Sequence, residues 1–141
     1  MKFLTCLFPV EGGNAKSSLA LLIGRVVFGL TFASHGLQKL QGFNAMADKF
    51  PDPLGLGSEL SLILVIFGEL ICGSAFVLGF LTRLALLPMI FSMMVAFFVA
   101  HGGVVSEGEL AFIYLFIFVT YLLTGAGKYS VDGFIAQKVK G

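Results

Sequence analysis

The side chains in this sequence that could do chemistry are the ionisable ones set inside or beside long apolar runs: Arg25, His35, Lys39, Glu69, His101, Glu107 and Glu109. Glu69 stands near the middle of the run Leu60 to Leu81. A lone charge at bilayer depth is costly, so such a carboxylate is expected to face a bundle interior, to have a partner and to mark a working site. Its spacing to Cys72, Phe76, Gly79 and Arg83 is heptad-like, which aims it at a bundle axis. His35 and Lys39 are four apart and share one helical face, and Arg25 falls within about 80° of both. On a rise of 1.5 Å per residue Arg25 and Glu69 differ by about 6 Å in depth, which makes them the expected buried pair. Imidazoles titrate near neutral pH. His35 and His101 therefore rim an expected outward polar cavity floored by Glu69, suited to proton-coupled chemistry on an apolar headgroup. No H-x-x-x-H or E-x-x-H spacing supports a metal site from His35, His101 and Glu109, and none is expected.

These residues need apolar helices to hold them. The chain has 141 residues, 57% hydrophobic and only 12% charged, with a mean hydropathy of +0.98. A soluble domain carries about 25% charged residues, so this composition leaves too little polar surface for a water-soluble globule and indicates an integral membrane protein. A formal net charge of +1 without any Lys/Arg cluster excludes the basic stripe of a nucleic-acid partner. The two cysteines, Cys6 and Cys72, make no C-x-x-C pair, and neither a metal knuckle nor a structural disulfide is expected.

Met1 to Val10 resembles a signal peptide but lacks a small-x-small cleavage site, and reads as a retained interfacial segment. Gly12, Gly13 and Asn14 break the chain, with Ser17 or Ser18 as the cap of the next helix. Four spans follow in a single domain, about 19–40, 60–81, 84–100 and 109–124, each near the 20 or so residues that cross a bilayer. Phe43, Met46, Ala47 and Phe50 recur at helical spacing in the first loop and read as an amphipathic turn on the membrane surface. The link around Gly79 to Arg83 is short enough to make spans two and three antiparallel neighbours. Met89, Met93 and Met94 read as packing. On the fourth span Glu107, Tyr114 and Tyr121 are seven apart and share a face, and the tail from Lys128 reads as a brief amphipathic helix. Lys2, Lys16, Arg25, Arg83, Lys128, Lys138 and Lys140 outnumber Lys39 and Lys49 across the bilayer, which places both termini in the cytoplasm.

Ser34-His35-Gly36-Leu37-Gln38-Lys39-Leu40, Gly68-Glu69-Leu70, Leu78-Gly79-Phe80-Leu81-Thr82-Arg83, His101, Glu109-Leu110-Ala111 and Gly125-Ala126-Gly127-Lys128-Tyr129-Ser130-Val131-Asp132 occur in an order that resembles the DoxX family of small bacterial membrane proteins. The resemblance implies an all-α, antiparallel four-helix transmembrane bundle in the inner membrane, named after a subunit of a thiosulfate:quinone oxidoreductase. Arg25, His35, Lys39, Glu69, Arg83, His101 and Glu109 match positions typical of that family. The leading expectation is a quinone-associated subunit, with Glu69, His35, Lys39, His101 and Glu109 handling protons and Arg25, Arg83 and Tyr114 in contact with the quinone. The chain has no flavin, haem or iron–sulfur motif, so a redox partner protein would supply that centre. The competing expectations are a non-enzymatic membrane anchor or assembly factor, which would hold a partner chain or a second copy of itself, and a small-molecule or ion pathway, disfavoured without inverted repeats.

Overall fold

The computed structural model describes Lys2 and residues 14–141; apart from Lys2, the expectations for Met1 to Val10 and for Cys6 lie outside the described residues. The first helix, α1 (Ala15–Gln41), begins at Asn14, whose side chain accepts a hydrogen bond from the Ser17 amide at 2.8 Å. Asn14 is thus the cap expected at Ser17 or Ser18, and Ser18 is buried one turn inside the helix. A short turn, α2 (Phe43–Met46), leads into a loop. Phe43, Met46, Ala47 and Phe50 are half-buried there, while Asp48 and Lys49 are exposed.

Three further long helices complete the bundle: α3 (Ser58–Leu78), α4 (Thr82–Ala100) and α5 (Val105–Thr124). All four are long and apolar enough to cross a membrane. A final amphipathic helix, α6 (Val131–Lys140), follows. Two stretches are wound as π-helix, Phe67–Ile71 in α3 and Val95–Ala100 in α4. α3 stops at Leu78, three residues short of the expected Leu81, because Gly79 (φ 67°) and Leu81 (φ 46°) both turn left-handed. Glycine takes that conformation freely, whereas for leucine it is strained.

Small residues set the register of α1 against α3. A side chain on Gly36 would fall 2.6 Å from the Leu70 backbone nitrogen, so only hydrogen fits. Ala33 meets Gly73 and Gly29 meets Val77 further down the same antiparallel seam. Phe32, Phe76 and Phe118 fill the centre edge to face, with ring centroids 4.8 and 5.7 Å apart. Tyr114 and Tyr121 extend that cluster from α5 and tie it to α1, their hydroxyls donating to Thr31 Oγ1 and the Leu21 carbonyl, each at 2.8 Å. Glu107, expected on the same face, is exposed, because the helix is broken at Gly108 (φ −116°, ψ 30°) between it and the tyrosines. Leu19, Ile23, Leu30, Ile71 and Leu123 point outward, as lipid-facing side chains do.

Candidate functional site

Glu69 lies within the π-helical turn of α3 and is 5% exposed. Its Oε2 accepts a hydrogen bond from Lys39 Nζ on α1 at 2.7 Å. The absence of a side chain at Gly36 lets the α3 backbone come close enough for this reach. A π-turn holds one residue more than the α-helix around it and is found often at functional sites.

Arg25 is not the partner of Glu69. The seam that sets Gly36 against Leu70 and Gly29 against Val77 continues to bring Arg25 beside Gly79, ten residues and about 15 Å along α3 from Glu69. Depth counted from the ends of the apolar runs erred because it ignored this register. The guanidinium is 1% exposed and donates to three carbonyls: Val77 at 3.0 Å from Nε, Ala126 at 2.6 Å from Nη1 and Tyr129 at 2.7 Å from Nη2. A planar fork with five N–H groups suits such a junction of chain ends.

Asp132 completes that junction. Its carboxylate accepts from the Leu81 amide at 2.7 Å and the Thr82 amide at 2.8 Å, while its own amide donates to the Gly79 carbonyl at 2.8 Å. It serves as the N-terminal cap of α4 from 50 residues away and holds Leu81 in its strained conformation.

A cavity of about 460 Å³ opens beside the Lys39–Glu69 pair, within the usual range of about 300–1,000 Å³ for small-molecule sites. Phe67, Phe91, Ser92 and Val95 line it between α3 and α4, and Phe50, Pro51, Pro53, Leu54 and Leu56 of the first loop roof it. Its lining is almost wholly apolar, with the ion pair, Ser61 and Ser92 as its polar side chains. The expected polar cavity rimmed by imidazoles is corrected here, since neither His35 nor His101 lines it. Pro88 and both π-turns border it, so the backbone is irregular on two walls.

The roof is tied by Asp52. Its carboxylate accepts from the Gly57 amide at 2.8 Å, the Leu56 amide at 2.8 Å and the Ser61 hydroxyl at 2.9 Å. The Gly57 hydrogen bond foremost, helped by the others, holds the Asp52 carboxyl below the ordinary carboxylate value despite some desolvation.

The remaining candidates are dispersed. His35 sits half-buried one turn from Lys39, within electrostatic range of Glu69, with its ring edge-on to Tyr114 at 6.3 Å. Tyr114 bonds to Thr31 and lies outside the cavity lining. His101 packs on Gly108 at the end of α4, and Glu107 and Glu109 are exposed. Among the described residues no three His, Cys, Asp or Glu side chains gather as a metal site. Arg83 is at the opposite end of the bundle, half-exposed, its Nη2 donating to the Leu123 carbonyl at 3.4 Å. Asp52 could have been found from Asp52-Pro53-Leu54-Gly55, a turn signature. Phe67, Phe91 and Val95 carried no signal apart from the apolar background.

No curated protein and no solved structure matches the chain. A family model described as DoxX matches residues 20–102, a stretch that contains Arg25, the ion pair and every cavity-lining residue. By that match over more than half its length, this four-helix membrane protein belongs to the DoxX family.

Proposed function

We propose that the chain is a quinone-associated membrane subunit of a redox complex, with the quinone head held in the cavity against Lys39 and Glu69. The observation that carries this reading is the placement of an ammonium–carboxylate pair on the wall of an otherwise apolar cavity bounded by lipid-facing helix surfaces. A quinone head needs an apolar slot, a hydrogen-bond donor for a carbonyl oxygen and a source of protons. Lys39 offers the donor, and Glu69 offers a carboxyl group that accepts or gives a proton as the Lys39 bond loosens. His35, one turn away, would pass that proton toward the chain surface, and His101 with Glu109 would exchange it with water at the loop end. The electrons come from the redox centre of a partner protein. The surplus of lysine and arginine at the end carrying α6 supports an inner-membrane topology with both termini cytoplasmic.

A second reading, an anchor or assembly factor without catalysis, draws support from the 2.7 Å bond itself, which fastens α1 to α3 with no ligand needed. Mass spectrometry of quinones retained by the purified protein separates the two. On the quinone reading the native chain carries quinone in stoichiometric amount, and Glu69→Gln loses it while membrane abundance holds. On the anchor reading Glu69→Gln lowers abundance and melting temperature, and a polypeptide co-purifies in place of quinone.

A further inference from the structure

The described acids are divided unequally between the two ends of the bundle. Asp48, Asp52, Glu59, Glu107 and Glu109 lie at the loop end with Lys49 and the paired Lys39. The terminal end holds Lys16, Lys128, Lys138 and Lys140, all exposed, and the half-exposed Arg83. Its one described acidic side chain, Asp132, is 6% exposed and occupied by two backbone amides. The terminal end therefore presents positive charge with no exposed acidic side chain among the described residues to offset it.

The geometry of α6 fixes where that charge sits. The helix is held to the bundle by its Asp132 and Ala136 edge, through Asp132 N to the Gly79 carbonyl at 2.8 Å, and so lies level with the ends of α3 and α5. Phe134 and Val139 are 58% and 51% exposed, although Phe80 and Leu123 at the same level are lipid-facing apolar side chains. Lys138 Nζ is 4.7 Å from the centre of the Phe134 ring, so an ammonium group and an exposed ring form one amphipathic surface. An exposed apolar face edged by lysines at the boundary of a membrane span matches a layer that is apolar below and anionic above.

We propose that the terminal face, with α6 at its edge, is a seat for anionic phospholipids: Phe134 and Val139 enter the acyl boundary while Lys128, Lys138 and Lys140 take phosphodiester headgroups. The occupant is fixed by charge complementarity, since a zwitterionic lipid offers no net charge to match this face. Neither the cavity nor the quinone reading enters the argument.

The sequence contains no tryptophan, so Phe134→Trp gives a single indole reporter. The full chain carrying it is placed in vesicles of phosphatidylcholine and phosphatidylglycerol in which one lipid or the other has brominated acyl chains, which quench a nearby indole. Brominated phosphatidylglycerol is expected to quench more strongly than brominated phosphatidylcholine at equal content. The difference is expected to vanish in high salt and in the variant that adds Lys128→Gln, Lys138→Gln and Lys140→Gln, with retention of the anionic lipid falling about fivefold per lysine removed. Equal quenching by both lipids overturns the headgroup preference. No quenching by either places the ring in water or under a partner polypeptide and overturns the proposal entirely. Val139→Trp repeats the reading should Phe134→Trp lower the yield of folded protein.

Discussion

Two cations on α1, the buried Arg25 and the partly exposed Lys39, meet opposite fates. Arg25 is enclosed, its bonded nitrogens facing the Val77 carbonyl at the end of α3 and the Ala126 and Tyr129 carbonyls of the segment before α6, and it does not line the cavity beside Glu69. Lys39 remains 25% exposed, makes one bond to one carboxylate, and borders open volume. The first arrangement closes the chain on itself, whereas the second leaves hydrogen-bonding capacity beside space that another molecule can enter. Two basic residues on one helix can thus divide, by register alone, into an enclosed fastener and an ion pair on a cavity wall.

The comparison breaks most sharply at the fastener. Arg25→Leu strips three carbonyls of their buried donor and is expected to cost about 3–5 kcal/mol, read as loss of membrane abundance and a lower melting temperature. A variant as abundant as the parent would remove the distinction. At the other pole, Lys39→Met leaves the Glu69 carboxylate without its partner and is expected to cost about 2–3 kcal/mol, discounted for the partial exposure of the lysine. Adding Glu69→Gln should recover most of that loss, and a double-mutant cycle in thermal unfolding reads the recovery. Asp132→Ala uncaps α4 and releases Leu81, for about 1–2 kcal/mol. Its effect should exceed that of any exposed lysine on α6 in the same assay.

The smallest effect concerns the roof of the cavity. Because the folded Asp52 carboxyl titrates below its ordinary value of 3.8, its contribution is fully present above that value. It is lost only as the pH falls through the depressed folded value. The Leu56 and Gly57 amide signals in NMR should therefore hold steady above about pH 4, near the ordinary Asp value, and shift only in stronger acid. In Asp52→Asn they should be pH-independent throughout that range.

The spans and their antiparallel order were legible because twenty-odd apolar residues between glycine-rich breaks leave few alternatives. Glu69 was legible as a buried acid for the same reason. Its partner was not, because an ion pair between helices depends on how they are offset, and that offset is set by contacts such as Gly36 with Leu70 rather than by hydropathy. Asp132 was invisible as a cap of α4 because the amides it serves lie 50 residues earlier in the chain. The cavity rests on π-turns at Phe67–Ile71 and Val95–Ala100; the second is made of ordinary apolar helix residues, and Glu69 in the first signals a buried acid, not a change of winding.

The π-turn in α3 also separates two duties along one span. With one surplus residue wound into it, the segment Cys72–Leu78 is rotated by about 100° relative to the phase it would have as a continuation of Ser58–Ile66. The lower half can keep Gly73 and Phe76 meshed with α1 while the upper half turns Leu64 and Val65 to the cavity. Removing a single residue between Phe67 and Ile71 would bring the halves into phase and present a different face to one neighbour or the other. Substitutions tune this span; a change in its residue count rephases it.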